Sequence, residues 1–121
     1  QVFSADWYFA SANAVTEAGE IYNVDGNANR VAAITFGPKN VLLVVGCNKL
    51  VKDMPAAEER VRQIAAPANT ARLGCKTPCA VTGKCEDCHS PGRICCTAVV
   101  HRYQREQGRI KVLLVGEPLG F

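Results

Sequence analysis

The sequence predicts an α/β domain, and three features predict it. Val41-Leu42-Leu43-Val44-Val45 is an unbroken β-branched and aliphatic run, the pattern of a central parallel strand buried on both faces beneath helices. Residues 54–66 repeat apolar side chains at helical spacing. Two strand-like runs, Ala98 to Tyr103 and Ile110 to Gly116, close the chain. With 121 residues, 48% of them hydrophobic, there is material for one core and one domain.

The elements follow in order. Val2 to Phe9 is strand-like from the start, and the aromatic and small apolar residues of Ala5 to Ala14 extend it into one strand. Trp7, Tyr8 and Phe9 read as core or edge-strand residues. Glu17-Ala18-Gly19-Glu20 is a turn, with Gly19 free to take positive φ. Ile21 to Val24 then returns as the second strand of a hairpin. Asp25 to Asn29 is a polar loop. Arg30 to Phe36 reads as a short helix with Val31, Ile34 and Thr35 inward, Asn27 or Asn29 as its cap and Gly37-Pro38 as its stop.

Gly46-Cys47-Asn48-Lys49 stands at the carboxyl end of the central strand, where ligands of open α/β sheets bind. Asp53 caps the next helix and Pro55 suits its first turn. Ala57, Val61, Ile64 and Ala65 share its inner face, and Glu58 and Arg62 pair on the outer one. Pro67 should kink or stop it, with a further turn to Leu73. From Cys75 to Cys96 the periodicity is lost and a loop is expected. Gln104 to Gly108 would join the last two strands as a hairpin.

Charge and hydropathy exclude some classes. The net charge is only +3 and the basic residues are scattered, apart from Arg102, Arg105, Arg109 and Lys111, so no nucleic-acid footprint is present. No apolar run approaches the roughly 20 residues that cross a bilayer, and no signal-peptide pattern opens the chain. The chain starts without Met on a strand-like segment, which reads as a piece of a longer protein. Seven cysteines, an odd number, fit a fully paired secreted scaffold poorly, so a reducing cytoplasm is expected.

Six of those cysteines lie between Cys75 and Cys96, spaced Cys75-x3-Cys79-x5-Cys85-x2-Cys88-x6-Cys95-Cys96. The knuckle Cys85-Glu86-Asp87-Cys88 lets two sulfurs converge, and Cys79 and Cys95 complete four-coordination. Thiolates are soft ligands that select iron–sulfur clusters or zinc. Pro78, Gly83, Pro91 and Gly92 permit the turns, and Lys76, Lys84 and Arg93 can offset thiolate charge. An iron–sulfur cluster, possible as a four-iron four-sulfur centre, leads; zinc is the alternative. The metal-free reading is buried thiols, a redox pair or disulfides formed on oxidation. Cys96, adjacent to Cys95, reads as a core or spare thiol, Cys75 as a further ligand candidate, and Cys47 as a small buried residue. His89 reads as an exposed loop residue, His101 as a strand-face residue.

Asn13, Asp25, Asn29, Arg30, Asn48 and Lys49 sit on loops beside strands. They form either ordinary turn chemistry or a pocket in which Arg30 and Lys49 pair with a carboxylate or phosphate. No spacing argues for a catalytic triad, and no catalytic residue is assigned.

Ser11-Ala12-Asn13-Ala14-Val15-Thr16-Glu17-x-Gly19, Asn23-Val24-Asp25-Gly26-x-x-Asn29-Arg30-Val31-Ala32 and Val44-Val45-Gly46-x-Asn48-Lys49-x-Val51 resemble the lactate-utilisation (LUD) domain family. Thr77-Pro78-Cys79-x-x-Thr82-Gly83-x-Cys85-x-Asp87-Cys88-x-Ser90-Pro91-x-Arg93-Ile94-Cys95 and Val115-Gly116-Glu117-x-Leu119-Gly120-Phe121 continue the resemblance to its cysteine-bearing subgroup. It covers essentially the whole chain, residues 1–121, and implies a sheet of the ribose-phosphate isomerase and CoA-transferase type flanked by helices. It implies that the chain is the C-terminal part of a longer protein. Carried over residue by residue, it implies a pocket of Asn13, Asp25, Gly26, Asn29, Arg30, Asn48 and Lys49 and a metal site of Cys79, Cys85, Cys88 and Cys95. Ala28 stands where the family more often has Gly, so that loop is expected to be stiffer. Cys47, Cys75 and Cys96 are additional to the pattern.

The leading expectation is therefore a metal- or iron–sulfur-binding accessory or electron-transfer protein of lactate or other organic-acid metabolism, with an iron–sulfur redox partner protein. One alternative is an enzyme on a small phosphorylated or carboxylated, hence anionic, metabolite, with a structural zinc loop. The other is a non-catalytic interaction domain. Association into a homo-oligomer is expected if a sheet edge or core face lies open.

Overall fold

A computed structural model describes residues 5–121, so the start of the predicted opening strand, residues 2–4, lies outside the described residues. The fold is α/β, with two sheets and helices packed on them. Strands β1 (Trp7–Ala10), β4 (Asn40–Gly46) and β7 (Ile110–Val115) form a parallel sheet in the order β1-β4-β7. Strands β2 (Ala14–Thr16), β3 (Ile21–Asp25), β5 (Leu50–Val51) and β6 (Thr97–His101) form a mixed sheet in the order β5-β2-β3-β6.

The central strand is where the sequence puts it. Val41, Leu43 and Val45 on β4 are 0% exposed and meet Ala12, Val15, Ile21 and Ile34 in one core, with Tyr8, Ala10 and Ile110 packed against it. Each such aliphatic side chain contributes roughly 1.5–3 kcal/mol by leaving water. Among the described residues only one face of the sheet is covered. The second sheet and α1 (Asn29–Phe36) seal the inner face, while Leu42 and Val44 point the other way and are half-buried. By register Trp7, Phe9 and Leu113 share that outer side, at 45%, 66% and 52% exposure. Lys111 lies 5.5 Å from the Trp7 ring.

The first predicted hairpin forms across Glu17–Glu20 with a shorter first strand, and the second is overturned. The expected strand from Ala5 to Ala14 is two strands in different sheets, and only Ala14 and Val15 pair with β3. The chain changes sheet at Ser11–Asn13 because Asn13 is tied sideways. Its amide oxygen accepts from the Val24 N–H at 2.8 Å, and its own N–H donates to Asn23 Oδ1 at 3.1 Å. The closing strands also separate: β6 pairs antiparallel with β3, and β7 runs parallel beside β4. Arg109 fixes the entry to β7. Its guanidinium donates to the carbonyls of Ile34 (2.6 Å), Pro38 (3.0 Å) and Ala33 (3.3 Å), closing the C-terminal end of α1 with a cation.

On α1 the inner residues are Val31, Ala33 and Ile34. Thr35, expected inward, is exposed and bonds His101 Nε2 at 2.8 Å. The cap also differs. Ala28 occupies the capping position at φ 59 without a side-chain bond, and Asp25 Oδ2 accepts from the Val31 N–H at 2.8 Å instead.

Helix α2 (Met54–Arg60) starts as predicted, with Asp53 Oδ1 accepting from the Ala56 N–H at 3.0 Å. Pro67 does not stop it. A π turn, Val61–Ala65, leads into α3 (Ala66–Leu73), and the Ala66 N–H reaches back to the Val61 carbonyl. The wider turn leaves room for a proline ring that would clash with the carbonyl four residues earlier in a regular helix. It also rotates Ile64 outward to 53% exposure, while Ala57, Val61 and Ala65 stay buried. Arg62 turns away from Glu58 and pairs with Asp87 at 2.7 Å. The cysteine segment is not all loop: Pro78–Thr82 forms a short helix, α4, that starts on Pro78 and ends at left-handed Gly83. Among the described residues no helix is long and apolar enough to cross a membrane.

Candidate functional site

Two clusters bear chemistry. The first surrounds Ser11–Asn13, the crossover between sheets. Arg30 donates to Asp25 Oδ1 (2.9 Å), Asn13 Oδ1 (2.8 Å), the Val24 carbonyl (3.2 Å) and the Ser11 carbonyl (3.5 Å). Its guanidinium is thus held by the protein, and Asp25 both neutralises it and caps α1. Beside it opens a cavity of about 310 Å³ lined by Asn13, Asp25, Gly26, Asn29 and Arg30, with Asn69 and Arg72 of α3 opposite. Five of the seven predicted pocket residues therefore meet around one cavity.

Asn48 and Lys49 take other places. Asn48 Nδ2 donates to the Gly120 carbonyl at 3.2 Å, and its Oδ1 accepts from the Leu119 N–H at 3.0 Å, so this side chain pins the segment after β7. Lys49 is 8% exposed and donates to Ser11 Oγ at 3.0 Å. Burial lowers its pKa, and the Arg60 and Arg30 charges lower it further. Arg60, 7% exposed, donates to the Asn48 and Asn13 carbonyls, each at 2.9 Å. Burial lowers its pKa too. Arg60 was missing from the sequence-based site, although it falls three residues after inward Ala57, on the apolar side of the helix.

The second cluster is the cysteine segment. All seven cysteines are free thiols. Cys79, in α4, has its sulfur 3.2 Å from Thr70 Oγ1 and 3.4 Å from Thr77 Oγ1, both buried threonines. Arg62 reaches across from the π turn to Asp87, inside the knuckle. Its pKa is raised, first by a hydrogen bond with Cys85 and then by the Asp87 charge. Arg93 donates to the main-chain carbonyls of Cys88 and Cys95, the latter at 2.8 Å, which brings those two ligand positions to one guanidinium. Its pKa is raised, first by the charge of Cys95.

Two further cysteine expectations are settled by exposure. Cys47 is exposed, not buried, because it follows the end of β4 where the sheet stops. Cys96 is exposed and accessible as a spare thiol. His89 is exposed. His101 is half-buried with Nδ1 unpartnered, and its pKa is lowered by burial and then by Arg109.

By donor chemistry the cysteine set fits a soft metal. The thiols are free, and Arg62 and Arg93 supply positive charge beside them. Among the described residues, no group of three or more His, Cys, Asp or Glu side chains stands in metal-holding arrangement. The structure thus holds the backbones of the candidate ligands without joining their sulfurs.

The sequence matches the LUD domain over residues 1–115. The chain belongs to the LUD domain family. No match was found among curated proteins or solved structures. In this LUD domain the family stretch contains the polar crossover, the cavity and the whole cysteine segment, while Asn48 joins it to residues 119–120 beyond the match.

Proposed function

We propose that this LUD domain binds an iron–sulfur cluster, or zinc in its place, through Cys79, Cys85, Cys88 and Cys95. It would act as an accessory or electron-transfer protein in the metabolism of lactate or a related organic acid, beside an iron–sulfur redox partner protein in the cytoplasm. One observation carries the reading: the candidate ligands are free thiols, and the scaffold grips their surroundings from three sides. Thr70 and Thr77 meet Cys79, Arg62 pairs with Asp87 between Cys85 and Cys88, and Arg93 holds the carbonyls of Cys88 and Cys95. A bound cluster would supply one-electron chemistry. The chain's own part is to supply four soft donors within one segment, with Arg62 and Arg93 anchored to it.

The test is iron, zinc and acid-labile sulfide measured on protein purified without oxygen. About four irons and four sulfides per chain support a redox centre. About one zinc per chain makes the segment structural. Neither metal, even after anaerobic reconstitution, ends the proposal.

A further inference from the structure

Three buried or half-buried cations, Arg30, Lys49 and Arg60, converge on the crossover Ser11–Asn13. One carboxylate, Asp25, is bonded among them, and it belongs to Arg30. Arg60 is turned to two neutral carbonyls. Lys49 has three N–H donors and, among the described residues, one protein partner, the Ser11 hydroxyl. An ammonium removed from water without an opposite charge is unfavourable, so this arrangement is incomplete as a structural device. The lowered pKa of Lys49 reports the same imbalance.

Its place in the fold supplies the second argument. Ser11 follows β1, Lys49 follows β4, and Gly120 lies beyond β7. All three therefore stand outside the carboxyl ends of the parallel strands, where open α/β sheets take their ligands. The main chain comes unusually close here. A Cβ on Gly46 would run into the Leu119 nitrogen and stand 2.9 Å from the Glu117 carbonyl oxygen, and a Cβ on Gly120 would stand 3.3 Å from Lys49 Nζ. Only glycine at 46 lets the segment after β7 cross the end of β4, and Asn48 fastens it there with two bonds.

We propose that Lys49 and Ser11 form an oxyanion site for a small carboxylate or phosphate, distinct from the cavity beside Arg30. Ser11 Oγ accepts from Lys49 and keeps its own proton to donate. The two donors lie 3.0 Å apart, close enough to share one anion, whose charge would complete the cation cluster. Residues 117–120 form the cover of this site. The proposal is independent of the cysteine segment and holds whether or not a metal binds there.

The test is thermal unfolding and titration calorimetry of the full chain with inorganic phosphate and, separately, acetate, at constant ionic strength. Stabilisation and binding by phosphate alone assign a phosphate ester, and by acetate alone a carboxylate. Lys49→Met should be as stable as the parent without anion, or more so, and should lose the binding. Ser11→Ala keeps the ammonium and should weaken binding roughly tenfold; it serves if Lys49→Met does not fold. Absence of binding by both anions overturns the proposal, as does equal binding by the parent and both variants.

Discussion

The polar crossover and the cysteine segment are both dense in ligand-type groups, yet they are built in opposite ways. Around Ser11–Asn13 the side chains are consumed internally: Arg30, Asp25, Asn13 and Arg60 hold strands, a helix cap and each other. In the cysteine segment the main chain is held and no disulfide consumes the sulfurs: Arg93 takes carbonyls, and the thiols stay uncrosslinked, with Cys79 resting on Thr70 and Thr77. A charged residue on a loop is therefore weak evidence of a binding site until its partners are known. By that measure Arg30 is scaffold, and the less conspicuous Lys49 is the available cation.

The largest test of this contrast is Arg60→Ala. It leaves two carbonyls without their donor and removes a buried side chain, so about 3 kcal/mol of stability should be lost in urea unfolding. A loss near zero would mean that the crossover is not held as described. A smaller effect separates the regions by pH. His101 has its pKa depressed below the ordinary 6.5 by burial and then by Arg109. Well above pH 7 it is neutral folded or unfolded. As pH falls below 6.5 the unfolded chain takes up the proton first, so stability declines until the depressed value is reached, by at most about 1.4 kcal/mol per pH unit. His101→Gln should flatten that part of a stability–pH curve; an unchanged slope would assign it to other groups. The smallest effects belong to the cysteine segment. Serine at Cys85, Cys88 or Cys95 should change the unfolding energy of metal-free protein by less than about 0.5 kcal/mol, while metal content falls. A large loss in the metal-free state would make these thiols scaffold too.

Much of the fold was legible because it follows local rules. The run Val41–Val45, the Asp53 cap and the turn at Gly19 depend on neighbours in sequence. What was not legible depends on distant partners. Nothing local shows that Asn13 reaches Val24, or that Arg109 closes α1, and these contacts divide the predicted opening strand and the closing hairpin between two sheets. The pocket shows the same limit. Asn13, Asp25, Asn29 and Arg30 were found as polar loop residues and Gly26 through family resemblance, but Asn69 and Arg72 come from the turn beyond Pro67, where nothing in the sequence pointed to a pocket. For the cysteines, spacing identified the candidate ligands and Arg93 among them, whereas the other anchor, Arg62, lies well before the segment and read as half of a surface pair.

The π turn at Val61–Ala65 makes chain length itself a functional variable. Its wider turn takes up one residue more than a regular helix would, so α3 keeps its facing across it. A further single-residue insertion, carried in regular helix, would rotate α3 by about 100° about its axis. Thr70 would leave Cys79, and Asn69 with Arg72 would leave the cavity beside Asp25. A one-residue gap at the π turn in a related sequence is therefore compatible with this geometry, whereas a one-residue insertion dismantles it without changing a side chain in either cluster.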